Sequence, residues 1–346
     1  MDDGRPAKRV KLEETPTELK TEPPPASVQG IPQGEPWLED GNVILVAQDG
    51  TGFRVFQSVL SKNSAVFREM FAASRLPTSE VVEGCSVYRL SDTGSDLHHV
   101  LQALFDSGAT KLPFSSVAAM LRIGSKYLIE HLREDAIQRL RENFPNQLSL
   151  DIKARLHGTF QNGVITDLSL QDSFTVVSLA WECNVPQLLP TAYYNLAQMS
   201  MDVLISGHVD SEGRIWELSK DDLKRIAKGQ AHLRRSVAAQ VKFVLFMETS
   251  SACLASGVDR PCWGIICGLR ELCFSLINTC LGALNPWHIW IANQKLCADC
   301  TKHFSDQSVA ERTKAWSMLA KWFDLDIEWP VPATIQISAI SATRTQ

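Results

Sequence analysis

The chain has 346 residues, 45% of them hydrophobic and 21% charged, with a net charge of -5. That length predicts about two domains, and the composition supports a sizeable core and excludes a fibrous or wholly disordered chain. The negative net charge excludes a general phosphate-binding coat, so no direct nucleic-acid contact is expected and any basic function must be local.

The opening residues, MDDGRPAKRVKLEETPTELKTEPPP, are charged and proline-rich. They hold no apolar secretory segment, so the protein is expected to stay inside the cell. Residues 1–36 are too poor in apolar side chains to offset ordering entropy by burial, and a disordered tail is predicted. Within it Lys8, Arg9 and Lys11 form a short cationic cluster. The stretch PAKRVKLE resembles the Myc-type nuclear import signal, which implies an import receptor as partner and a nuclear location, with a cytoplasmic pool beside it. The plain alternative is a solvated charge run. VKLE and LKTE resemble acceptor sites for small ubiquitin-like modifiers, at Lys20 and less strongly at Lys11.

From Asn42 the pattern changes. NVILVA, the turn pair Asp49-Gly50 and FRVFQSVL predict a β-hairpin. Ser61 or Ser64 is placed to cap a following helix, with Val66, Phe67, Met70 and Phe71 on one face. CSVYRLSD (Cys85 to Asp92) reads as another strand. Leu97, Val100, Leu101, Leu104 and Phe105 then repeat at helical spacing. Val117, Met120, Leu121, Gly124 and Leu128 continue the pattern after Pro113, and Leu132, Ala136, Ile137 and Leu140 mark one side of a further helix.

With FRVFQSVLSKNSAVFREMF, LQALFDSG and VAAMLRIGSKYLIEHLREDA in this order, residues 37–145 resemble a BTB/POZ domain. RVFQSVLSKNSAVFREMF is similar to the family's hxKxxLxxxSxxFxxMF signature. The resemblance implies an α+β fold, a small mixed sheet with helices, followed by a mostly α-helical C-terminal domain. It also implies a protein-interaction module with protein partners, pairing as a homodimer. One departure bears on that pairing: Asn42 stands near the place where the family usually has an Asp lining a charged pocket at the dimer interface.

Residues 146–329 resemble the expanded BTB family of mushroom-forming fungi, through VVSLAWECNVPQLLPTAYYNLAQ, SKDDLKRIAKGQAHLR, LCADC and RTKAWSMLAKWFDLDIEW. Apolar positions on both sides of Pro186 predict two packed helices. The nearly uncharged run from Leu272 to Ile291 is broken by Asn285-Pro286 and reads as buried helix, so no membrane partner is expected. Residues 330–346 read as a frayed tail. The two halves are expected to have separate cores.

Motifs for catalysis are scarce. Gly50-Thr51-Gly52 fits a hairpin turn, and there is no phosphate loop, nucleophile elbow or H-E-x-x-H pair. His98 and His99 point about 100° apart on a helix, so they cannot readily share an ion. Cys297-x2-Cys300 can reach one tetrahedral ion, and Cys253 and Cys262 can complete a structural zinc site, with Cys267 and His303 in reserve. Packed thiols are the alternative reading, and Cys273 and Cys280 are read that way. Trp316, Trp322 and Trp329 are assigned to core packing.

The function expected is therefore non-enzymatic. By resemblance the chain is an adaptor or scaffold, with a cullin ubiquitin ligase among its partners. Val81-Val82-Glu83 could supply the hydrophobic-x-Glu element of such adaptors, although a loop before the next strand is the simpler reading. A nuclear transcriptional scaffold is the alternative. A zinc enzyme using Cys297, Cys300 and His303 is the remaining one, and it lacks an identifiable general base.

Overall fold

The structure, a computed structural model, describes residues 31–73, 80–105, 110–151, 163–255, 261–279 and 282–330. Lys8, Arg9, Lys11, Lys20, Cys280 and the tail from 331 onward lie outside the described residues.

The first half is built on strands β1 (Gln33–Trp37), β2 (Val43–Val46), β3 (Gly52–Val55), β4 (Val81–Val82) and β5 (Cys85–Arg89). They form one mixed sheet in the order β1-β3-β2-β5-β4. The central strand reads VILV because both of its faces are buried, so apolar residues need not alternate with polar ones. Val43 and Leu45 face the main core, while Ile44 and Val46 join Cys85 and Val87 in a small cluster on the other face. The expected hairpin is present: β2 and β3 run antiparallel with Val43 opposite Val55, and Gly50 in the turn takes φ 88, which glycine adopts without steric cost. Its second strand is shorter than the apolar run suggests. Asn42 Oδ1 accepts the Gln57 N–H at 2.8 Å, and the chain turns there into helix α1 (Gln57–Asn63). β1 runs parallel to β3, so order reaches residues that composition had placed in the tail.

Ser64, not Ser61, caps α2 (Ala65–Ala73): its Oγ accepts the Phe67 N–H at 3.0 Å and donates to the Tyr127 carbonyl at 2.5 Å. Phe67 stacks on the Tyr127 ring at 4.4 Å, and the Tyr127 hydroxyl donates to Asp92 at 2.5 Å. These contacts tie α2 to α4 (Phe114–Lys126), with α3 (Gly94–Phe105) and α5 (Glu130–Asn143) beside it. The buried face of α5 is the predicted one, Leu132, Ala136, Ile137 and Leu140. α3 buries Leu97, Val100 and Leu101 of the predicted set and, in addition, Asp96.

The second half contains α6 (Ser173–Glu182), a 3-10 turn at Pro186–Leu188 and α7 (Leu189–Leu196), the helix pair expected around Pro186. After α8 (Met201–Ser206), a hairpin of β6 (His208–Val209) and β7 (Ile215–Trp216) interrupts an otherwise helical region. Then come α9 (Lys220–Gln240), α10 (Lys242–Leu245), α11 (Ser251–Ala255), α12 (Pro261–Thr279), α13 (Trp287–Ala292) and α14 (Ala298–Trp322). α9 starts with a capping box in which Ser219 Oγ accepts the Asp222 N–H and Asp222 accepts the Ser219 N–H. Trp316 is fully buried and packs at a tilt against Trp329 with ring centroids 5.1 Å apart, while Trp322 lies flat against His232, so these aromatics pack as expected. Among the described residues no helix is long and apolar enough to cross a membrane.

The expectation of separate cores is overturned. One apolar cluster runs from Val43 of β2 to Leu325 beyond α14. Contacts between α4 and α6 carry it across: Cys183 Sγ donates to the Leu121 carbonyl at 3.6 Å, and Arg133 donates to the Cys183 carbonyl at 3.2 Å. The faces of α4 explain the merger. Val117 to Leu121 are all buried, so this helix cannot present one face to solvent and must be covered on more than one side.

Gly229, inside α9, shows how closely the C-terminal helices pack. A Cβ there would overlap the edge of the Phe323 ring, and Phe323 is fully buried. Gly229→Ala would gain about 1 kcal/mol of helix propensity. Overpacking at so short a distance costs ~1–3 kcal/mol or more and should win. The variant is expected to melt below the parent, as circular dichroism on heating will show.

Candidate functional site

The four predicted cysteines come together. The Sγ atoms of Cys253, Cys262, Cys297 and Cys300 all lie within 4.8 Å of one another. They arrive from α11, the start of α12, the residue before α14, and the first turn of α14. Local sequence explains the placement. Ser250 Oγ accepts the Cys253 N–H at 3.2 Å and so starts α11, while Cys297 is the N-cap of α14, its Sγ accepting the Cys300 N–H at 3.5 Å.

The hydrogen bonds show what these sulfurs are suited to hold. Besides Cys300 N–H on Cys297, the Cys297 N–H donates to Cys262 Sγ at 3.0 Å and the Ser250 N–H to Cys300 Sγ at 3.3 Å. A neutral thiol is a weak acceptor, so three backbone donors converging on sulfur suit thiolates better. The N-terminus of α14 adds its partial positive charge at the same place. Taken as thiols, Cys253 and Cys262 are pushed up by burial, whereas Cys297 is drawn down by the Cys300 N–H. Such a group of thiols at mixed acidity is what a cation would have to deprotonate.

The spacing fits one tetrahedral ion. Sulfurs bound at about 2.3 Å to a common centre stand about 3.8 Å apart, inside the observed limit, and four thiolates leave no coordination position for water. The residues therefore fit a structural zinc site, which would tie α11, α12 and α14 at one point. The reserve ligands are not used: Cys267 lies outside the group, and His303 packs edge-on against Phe304. Cys273 is fully buried and its thiol is pushed up to about 11 by burial, as fits a packed side chain. Sequence reasoning picked out the four cysteines that come together but missed Ser250, whose one trace is its position three residues before Cys253.

A second constellation lies where the halves meet. Asp96 of α3 is 3% exposed and accepts from Arg122 of α4 at 2.7 Å and from Arg214 of the β6–β7 hairpin at 3.0 Å. Arg214 is also held by Asp210 at 3.1 Å and by Glu212. Glu212 in turn meets Ser95 and His99, and His99 Nδ1 lies 2.9 Å from Ser116 Oγ. His98 meets the Glu35 carbonyl at 2.7 Å instead, so the two rings, with centroids 5.4 Å apart and tilted, serve different partners. Nothing in the sequence pairs residues 118 positions apart, and this seam was not foreseen.

On the sheet, Val81 and Val82 form β4 instead of a loop, and Val81 is 60% exposed. Glu83 follows in a turn at φ 49 and pairs with Arg54 at 3.5 Å. Asn42, at the departure noted above, spends its side-chain oxygen on starting α1.

A family model for the BTB/POZ domain matches residues 38–143. That stretch, which covers strands β2 to β5 and helices α1 to α5, is a BTB/POZ domain, generally a protein-interaction module. No curated protein matches the chain.

Removing the central carboxylate tests the seam. Asp96→Ala leaves two guanidiniums without their common partner. Breaking a buried pair costs ~3–5 kcal/mol, and the lower end applies here because both guanidiniums are partly exposed. Chemical denaturation should show a stability loss of about 3 kcal/mol, and an unchanged midpoint would deny the seam an energetic role.

Proposed function

We propose that the protein is a non-enzymatic adaptor or scaffold in which the BTB/POZ domain engages protein partners and the helical half recruits a client. The observation that carries this reading is the BTB/POZ match over residues 38–143, on a domain firmly joined to a second half. Self-pairing and a cullin ubiquitin ligase are the partners proposed, and kinship with the expanded fungal BTB proteins is part of the same proposal. The alternative, a nuclear transcriptional scaffold, is favoured by the import-like cluster Lys8, Arg9 and Lys11. The same cluster underlies the proposed nuclear location. The domain boundaries at 37, 145 and 329 are proposed on the sequence pattern.

The cysteine centre is proposed to hold one structural zinc. Soft thiolates in a tetrahedral set select zinc over hard cations, and the four sulfurs close the site. A closed site supports a structural role and weighs against the zinc-enzyme alternative, which requires an open position.

Two measurements test these proposals. Purified protein should contain one equivalent of zinc, and Cys300→Ser should lose it. Zinc binding contributes ~10–16 kcal/mol in small zinc peptides, large beside the ~5–15 kcal/mol that stabilises a domain. A chelator should therefore lower the melting temperature strongly, first loosening α11, α12 and the start of α14; zinc below roughly a tenth of an equivalent would restore the packed-thiol reading. Affinity purification of a tagged chain from its own cells should recover a second, differently tagged copy and a cullin, and neither should appear when residues 37–143 are removed. Imaging of the same cells should show a nuclear signal that Lys8→Ala with Arg9→Ala abolishes. Recovery without the domain, or nuclear signal without the cluster, would refute the corresponding part.

A further inference from the structure

An uncovered apolar face lies on α8 and the β6–β7 hairpin. Val209 and Ile215 stand directly opposite each other across the hairpin and are 57% and 68% exposed. Their neighbours His208 and Trp216 take the other face, against Phe174 and Arg122, so strand alternation turns the two aliphatic side chains outward. Met201 and Ile205, four apart on one side of α8, are 42% and 65% exposed. Gly207 holds the two elements together: a Cβ there would stand 2.6 Å from the Trp216 carbonyl oxygen. Four exposed apolar side chains so close in the chain mark a surface suited to being covered.

The charge around this face selects its cover. From Met201 to Ser219 the chain carries four carboxylates, Asp202, Asp210, Glu212 and Glu217, against the one guanidinium of Arg214, which the buried Asp96 already shares. Asp202 and Glu217 are exposed and have no charged partner among the described residues. The cover must therefore be both apolar and basic. A second copy of the same face would set carboxylates against carboxylates. Residues 331–343 are apolar enough but hold no charge. Residues 8–12, Lys-Arg-Val-Lys-Leu, meet both requirements, with three cations interleaved among two aliphatic side chains.

The described chain also begins beside this hairpin. The Glu35 carbonyl meets His98 Nδ1 at 2.7 Å, and the next residue, His99, meets Glu212 of the hairpin turn at 3.2 Å. Lys11 stands twenty residues before Ile31, a length that spans about 25 Å as a coil and more when extended, so the segment can reach the face. We propose that residues 8–12 of this same chain dock on the outer face of α8 and the β6–β7 hairpin, with Val10 and Leu12 on the exposed apolar side chains and Lys8, Arg9 and Lys11 toward Asp202 and Glu217. The contact itself stands on chemistry and reach. Its consequence rests on the import reading proposed above: while docked, the cluster is closed to an import receptor, which must read the same three cations.

The test uses the full chain with 13C-labelled isoleucine methyls, reading the Ile205 and Ile215 resonances, assigned by their loss in Ile205→Val and Ile215→Val. Val10→Ser with Leu12→Ser should shift both, while the resonances of the buried Ile123 and Ile226 stay in place and report an intact fold. Adding the peptide RPAKRVKLEE, copied from residues 5–14, to that variant should return both resonances saturably. Replacing the peptide's two lysines and the arginine between them by glutamine should weaken its binding about tenfold, and high salt should weaken the parent peptide too. Resonances unmoved by the Val10 and Leu12 replacements, no saturable return, or a glutamine peptide binding as tightly as the parent would overturn the contact. Resonance positions that change with protein concentration would place the segment on a second copy and overturn the own-chain occupant. The import reading is judged separately: if Lys8→Ala with Arg9→Ala abolishes the nuclear signal while the methyls ignore the tail, the contact alone fails. If the methyls respond and the nuclear signal persists in that variant, the import reading alone fails.

Discussion

Asp96 is the constraint around which the molecule is arranged. A carboxylate this deeply buried cannot stand charged and unpaired, and α3 offers no cation of its own to meet it. Arg122 satisfies it from within the BTB/POZ domain, and Arg214 from the second half. The hairpin must therefore lie across α3 and α4 in one register, held there by Asp210 and Glu212 gripping the same guanidinium. Trp216, paired across the hairpin with His208, packs beneath Arg122, whose guanidinium lies 5.5 Å from its ring. Charge thus orients a joint whose affinity comes largely from the apolar core running through α4.

That joint changes how the BTB/POZ domain presents its surfaces. A BTB/POZ domain on a loose linker would present its surfaces independently of the rest of its chain. Here the α3–α4 region is partly occupied by the chain's own hairpin, while Val81 of β4 is left exposed. At the far end, the cysteine centre gathers short helices that local interactions alone would stabilise poorly. α10 and α11 have four and five residues, well below the length at which a helix holds in water. The four sulfurs bring α11 up against the N-terminus of α14, a helix that also carries Trp316 and Phe304 into the core.

Much of this was legible in the order of residues. Period-two and period-3.6 apolar patterns depend on neighbours within one turn or one strand, so the β2–β3 hairpin, β5 and the buried face of α5 could be read directly. The cysteine group was legible because Cys297-x2-Cys300 is a local metal-ligand spacing, although the upstream cysteines are irregularly spaced and packed thiols competed with that reading. β1 was hidden because Pro and Gly within GEP mask a short edge strand, and the β6–β7 hairpin because two-residue strands leave no period to detect.

The sequence by itself determined the class of the N-terminal domain, the helical character of the second half, and which four sulfurs could share an ion, since each rests on short-range spacing. Only the tertiary structure decided that the two halves share one core and that Arg214 reaches Asp96. Those facts depend on which distant surfaces meet when apolar area is removed from water. That force is non-directional, so no local pattern records which surface will be chosen.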